Sequence, residues 1–351
     1  MSSDETDITV EVFNHCKGSC TGCLLTVQER RSVSPVMQPY AFADAMKAVA
    51  DYGMKSGIRY RPVIVYGDVP WLPLTMQKRY YDAVRDVGLS IGVTMTLVES
   101  DRTDNYWRGL EALIENGIHP VFDITVDPIR LFKDEGYHDR ILKAAGMAPE
   151  LHLQMLLSEA VLTRNGPEEL AVRMRDALGG RPISLGFTPA LARMEGVNFQ
   201  YEVGGAAAWA RRFYNATPEG AEFLKSEFKR HQGGSDYADF MAQTFHVGPD
   251  LSIWPTGYTI FGDVIMDQRN GGFALGNLKE EHIEGILRGK QARRLAAQAK
   301  AGMATGDFGC EDCPHMDSCT FHGVGAVRRV YKDYESRTRS CHGPIALMEA
   351  A

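Results

Sequence analysis

ITVEVFNHCKGSCTGC, residues 8–23, runs a strand directly into three thiols. From Ile8 to Phe13 apolar and polar side chains alternate, the period of a half-buried β-strand. Cys16, Cys20 and Cys23 follow, separated by a three-residue and then a two-residue gap. That spacing lets one short turn fold three thiolates around one face of a cubic iron–sulfur cluster and leaves the fourth iron without a protein ligand. An iron left open in this way can chelate a small ligand and pass it an electron.

The chain holds seven cysteines, and the other four, Cys310, Cys313, Cys319 and Cys341, lie near its far end. Seven suits two metal centres, one with three protein ligands and one with four. A disulfide framework is disfavoured by the odd count, the length of the chain and the absence of an apolar signal segment after Met1. Zinc is the better rival for the second group, where Cys310-x2-Cys313 with Cys319 and Cys341 would also close a tetrahedral site. The first group fits zinc poorly, because zinc knuckles come in pairs and His15 is the single local candidate for a fourth ligand. His315, His322 and His342 flank the second group and read as neighbours of the ligands, four cysteines being enough.

At 351 residues the expectation is one large domain with a smaller one. A hydrophobic share of 44% and a charged share of 24% are those of a globular protein. No apolar run approaches the about 18 residues of a membrane span. A net charge of −7 argues against a nucleic-acid platform. With thiols left for metal, the composition predicts a cytoplasmic protein that uses neither membrane nor nucleic acid.

Between the cysteine groups, strand and helix signals alternate. Residues 41–55 read as an amphipathic helix, RPVIVYGD (61–68) as a buried strand with a turn, and 74–87 as a helix. SIGVTMTLVES (90–100) reads as a strand, 105–115 as a helix and HPVFDITVD (119–127) as a strand. An apolar run over 151–157, a helix over 166–178 and RPISLGF (181–187) follow. Such alternation predicts an α/β fold, a parallel sheet with right-handed crossovers curled into a partial (β/α)6 TIM-like barrel. Chemistry in that fold sits at the carboxyl ends of the strands, where the cysteine turn, Gly67-Asp68, Thr125-Val126-Asp127 and residues 184–189 all fall.

The cysteine turn and the strand order together resemble the radical S-adenosylmethionine enzymes. That resemblance implies that Cys16, Cys20 and Cys23 hold a 4Fe-4S cluster whose open iron chelates S-adenosylmethionine, cleaved reductively to a 5′-deoxyadenosyl radical that abstracts hydrogen from a substrate. The family's glycine-glycine-glutamate turn, which receives the cofactor's amino group, is matched by Gly67-Asp68, with aspartate for glutamate. Its serine-x-aspartate pair near the ribose is matched by Thr125 and Asp127.

GYTIFGDVIMDQRNGGFALGNLKEEHIEGILRG (257–289) is similar to the hairpin and helix that lead into the SPASM/twitch extension, with Gly276-Asn277-Leu278 ahead of the helix. The resemblance assigns Cys310, Cys313, Cys319 and Cys341 to one auxiliary 4Fe-4S cluster, a site for which zinc stays open. Ligands for the second auxiliary cluster of the full extension are replaced, Gly262 and Gly323 standing where cysteines would. A barrel over 1–240 and a small cysteine-rich iron–sulfur domain over 241–351 are thereby expected.

The implied function is modification of a peptide or protein side chain, by crosslink or oxidation, with the auxiliary cluster handling electrons and a flavodoxin- or ferredoxin-type donor. The alternatives are a radical dehydrogenase of a small metabolite and a non-catalytic iron–sulfur or zinc protein. No catalytic residue is assigned, since nothing in the spacing of Tyr201, Glu202, Tyr237 and Asp239 selects one. Aromatics of 197–240, including Trp209, Phe213 and Tyr214, read as helix core ahead of a substrate groove.

Overall fold

The computed structural model describes residues 5–13, 36–65, 67, 69–95, 97, 103–115, 121–126, 135–147, 151–156, 166–180, 184–186, 203–230, 245–255 and 274–303. In chain order these form β1 (Glu5–Val10), α1 (Pro39–Ser56), β2 (Arg59–Ile64), a 3-10 turn (Val69–Trp71), α2 (Leu74–Asp86), β3 (Gly92–Met95), α3 (Thr103–Glu115) and β4 (Val121–Val126). Then come α4 (Glu135–Met147), β5 (Leu151–Leu156), α5 (Pro167–Ala177), β6 (Ser184–Gly186), α6 (Val203–Asn215) and α7 (Pro218–Arg230). The last are β7 (Phe245–Val247), β8 (Ser252–Pro255), β9 (Gly276–Asn277), α8 (Ile283–Leu287) and α9 (Lys290–Met303). The architecture is mixed α/β, as the alternating signals predict.

The chain divides into two compact units: Met1–Thr125 with Asp134–His152 and Met241–Arg293, and Val126–Lys133 with Leu153–Phe240 and Arg294–Ala351. In the first, β1 pairs in parallel with β2 from Glu5↔Arg59 to Val10↔Ile64. β2 pairs with β3, and β3 with β4, also in parallel. On its other edge β1 takes β7 as a parallel neighbour through Thr9↔His246 and Val10↔Val247, and β8 and β9 extend that edge antiparallel. Parallel neighbours far apart in sequence need crossover connections, and helices supply them here.

Pairing fixes which face each residue takes, because side chains alternate along a strand. Tyr60, register-paired with Thr6, stacks on Tyr52 of α1 with ring centroids 6.1 Å apart and meets Phe245 edge-on at 5.6 Å. This is the apolar face, carrying Ile8 and Val10, and α1 covers it with a stripe of Phe42, Ala45, Met46, Val49 and Tyr52. The helix starts on Pro39, whose missing N–H costs nothing at a first turn, and stops at Gly57. Phe42 is fully buried; its replacement by alanine would cost about 3–5 kcal/mol.

The opposite face is polar. It carries Asp7, Thr9 and then Glu11 from β1 and its exit, Arg61 from β2 and His246 from β7. Arg61, almost fully buried, grips Asp7 with two bonds, Nε to Oδ1 at 2.6 Å and Nη2 to Oδ2 at 2.7 Å. The same guanidinium lies 3.5 Å from Nδ1 of His152, at the start of β5.

The second unit holds the parallel pair β5–β6, with Met155↔Leu185, and three packed helices. α6 buries Trp209, Phe213 and Tyr214 in a run of ring contacts that ends on Phe223 of α7. Its arginines point outward, and Arg212 forks onto Glu168 of α5 at 2.6 and 2.9 Å. The aromatics of this stretch are helix core, as their spacing predicts.

Candidate cofactor site at the carboxyl edge of the sheet

The β1 ladder does not stop at Val10. Val65 donates its N–H to Val10 O at 3.0 Å and Glu11 donates to Val247 O at 2.9 Å, so β2 and β7 still flank the chain as it approaches the cysteine-bearing segment. Val12 and Phe13 remain buried. Residues 14–35, with Cys16, Cys20 and Cys23, lie outside the described residues, but the chain on either side of them meets at one point. Met37 N–H donates to Val12 O at 2.8 Å, and the Tyr80 hydroxyl of α2 donates to Met37 O. The segment bearing the thiolates therefore has a closed base at the carboxyl end of β1.

Gly67 stands beside that base. A Cβ added there would lie 2.5 Å from Phe13 O and 2.6 Å from its ring, so the backbone of the β2 exit approaches the start of the cysteine segment as closely as only glycine permits. Gly67 N–H closes a tight turn on Val65 O at 3.1 Å. Asp68 and Asp127 lie outside the described residues; Thr125 is in β4, near its carboxyl end, one residue past Ile124, which pairs with Met95 of β3. Of the residues singled out in sequence, then, Gly67 is brought against the base of the cysteine segment, and Thr125 falls on the same edge of the sheet.

At the β3 exit the backbone turns away from the extended form: Leu97 takes φ 51 and is buried, and its carbonyl accepts from Arg140 Nε of α4 at 2.7 Å. Non-glycine residues in this region are uncommon and cluster at functional edges.

Two groups of polar residues escape the sequence reading. His246 Nε2 lies 3.6 Å from Glu11 Oε2 and its Nδ1 3.0 Å from Thr9 Oγ1, with both ionisable side chains about 3% exposed. Asp7, Arg61 and His152 form the second group lower on the same face. A partial signal existed in the polar residues at 7, 9 and 11 of β1. His246 carries none, because its partner lies 237 residues earlier.

Towards the far end, the Gly276-Asn277-Leu278 turn is built by its own side chain. Asn277 Oδ1 accepts from Lys279 N–H at 2.9 Å, its Nδ2 reaches Asp250 O at 3.2 Å, and Leu278 N–H donates to Leu251 O at 3.0 Å. A Cβ on Gly276 would meet Ile286 of α8 at 2.8 Å, so the helix after the turn seats directly on the glycine. Cys310, Cys313, Cys319 and Cys341, with Gly262 and Gly323, lie outside the described residues, as do Tyr201, Glu202, Tyr237 and Asp239. Among the described residues no helix is long and apolar enough to cross a membrane.

No family model matches the sequence, and no curated protein matches it. Solved structures do. A polyhistidine-tagged anSMEcpe with bound AdoMet superposes with a TM-score of 0.60 at 12% identity, covering 99% of this chain and 96% of that one. Native anSMEcpe with bound AdoMet and Kp18Cys peptide gives 0.56 at 12% identity, over 90% and 88%. Streptococcus suis SuiB bound to precursor peptide SuiA gives 0.55 at 10% identity, over 90% and 71%. Identities this low speak for architecture alone. The chain has the partial-barrel fold of the radical S-adenosylmethionine enzymes that carry a SPASM domain.

Proposed function

We propose that the protein is a radical S-adenosylmethionine enzyme that modifies a peptide or protein side chain. The observation that carries this reading is the closed base of the cysteine segment at the carboxyl end of β1, with Gly67 against it. Support comes also from the solved structures similar in fold, two of which hold AdoMet and two a peptide.

The residues present fit the group. Three thiolates suit three irons of a 4Fe-4S cluster, and the close approach of Gly67 to Phe13, which a Cβ would prevent, brings the β2 exit beside the start of the cysteine segment. In this reading Cys16, Cys20 and Cys23 hold the cluster, Gly67 and Asp68 receive the cofactor's cationic amine, and Thr125 and Asp127 lie near its ribose. A carboxylate facing an ammonium is a strong, charge-assisted pairing. When bound, cluster and S-adenosylmethionine supply a carbon-centred radical able to remove hydrogen from an unactivated position. The chain's own residues position the reactants, and the polar face that leads to the cysteine segment carries Glu11 and His246, with Glu11 Oε2 3.6 Å from His246 Nε2. Residues 241–351 carry the auxiliary cluster through Cys310, Cys313, Cys319 and Cys341, and their first strand, β7, is anchored on β1. A flavodoxin- or ferredoxin-type protein delivers the electron.

The test is direct. Anaerobically reconstituted protein given dithionite and S-adenosylmethionine should release 5′-deoxyadenosine, and Cys20→Ala should abolish the product. Protein that binds zinc and no labile sulfide, or makes no 5′-deoxyadenosine, would overturn the reading.

A further inference from the structure

Met37 is held at both of its backbone polar atoms, on the far side of the residues that bear the first three cysteines. Its N–H meets Val12 O and its carbonyl meets the Tyr80 hydroxyl, and Val12, Met37 and Tyr80 are all 1% exposed or less. The Tyr80 ring is fixed in turn by Phe42 of α1, edge to face, at 4.9 Å and 69°. A phenylalanine at position 80 would fill the same volume. The hydroxyl is a polar addition to a dry core, tolerable because it finds an acceptor, and the acceptor is the residue that closes the cysteine segment.

We propose that Tyr80 is a positioning residue for the thiolates: by pinning Met37 onto Val12 it fixes the base of the segment that carries Cys16, Cys20 and Cys23. Closing a segment of this length costs chain entropy. With both ends of the segment secured by the fold, metal affinity need not supply that closure. Gly67 against Phe13 secures the outgoing end and Tyr80 the returning one. Burial pushes Tyr80 up to about 12, so the hydroxyl remains a donor throughout the physiological range. The cluster itself belongs to the function proposed above; the pin does not depend on it.

The experiment compares wild type, Tyr80→Phe, Met37→Pro and Phe213→Leu as full-length, anaerobically reconstituted chains, by amide hydrogen exchange and by iron retained against a chelator. Tyr80→Phe keeps the ring and loses one hydrogen bond, so exchange across residues 12–37 should rise about tenfold while other peptides stay unchanged. Iron should leave faster by a similar factor. Met37→Pro removes the other half of the pin and should open the same stretch. Phe213→Leu, in the core of α6, disturbs packing away from the pin and should lower Tm without singling out residues 12–37. Exchange in that stretch at the wild-type rate in Tyr80→Phe, or a rise spread evenly over the chain, would overturn the proposal. If no variant holds iron but the local difference persists, the pin stands and the cluster assignment falls.

Discussion

A single missing carbon decides how closely the β2 exit can approach the cysteine segment. Gly67→Ala would put a methyl 2.5 Å from Phe13 O, a backbone atom that cannot swing aside. The substitution should destabilise by about 1–3 kcal/mol in urea titration, and calorimetry should show weaker S-adenosylmethionine binding to reconstituted protein. Glu11 and His246 make the second case. Each is buried beside the other, and truncating one member of a buried polar pair costs more than the pair contributes. Glu11→Ala should lose about 1–3 kcal/mol in urea titration, whereas Glu11→Gln, which keeps an acceptor beside the imidazole, should lose less. At this scale legibility was uneven. Gly67 could be singled out because a strand signal stops at a glycine-acid turn. Glu11 and His246 could not, since what makes them notable is burial against each other, which depends on a register no local pattern encodes.

At the scale of elements, most helices and strands follow their periodicities, and the departures have causes. The strand read over 61–68 ends at Ile64, where the close approach of Gly67 to Phe13 requires a turn. The strand read over 90–100 ends at Met95, because Leu97 is driven into a left-handed conformation and held there through its carbonyl by Arg140. α4 was not anticipated: its buried stripe is Tyr137, Arg140, Ile141 and Ala144, and a charged residue within it blurs the apolar period. β7 is three residues long, too short for any period to show.

Surface pairs tie the helices of the second unit, Glu168 to Arg212 and Arg175 to Glu219. The arginine hydrogen bonds hold both carboxyls below the usual glutamate range. A folded-state value below the unfolded one gives stability that is present above the ordinary glutamate range and is lost as pH falls through the lowered values. The double variant Arg175→Ala/Arg212→Ala should therefore move the acid transition, followed by circular dichroism, to higher pH. The shift should be small and should shrink in salt, as befits exposed pairs.

For the whole molecule, the central strand of the first unit has its two neighbours at very different distances along the chain. β2 follows β1 within tens of residues, while β7 pairs with it across 237 positions. Val10, fully buried and paired on both sides, sits where these contacts meet. Val10→Ala should cost about 2 kcal/mol in urea titration.

That arrangement bears on synthesis. As the chain emerges from the ribosome, one edge of its first strand remains unmatched until Phe245–Val247 has been made, so a row of open amides and carbonyls persists through most of translation. Fragments that terminate before Phe245 should precipitate on expression, while the full-length polypeptide, its seam closed, should remain in the supernatant.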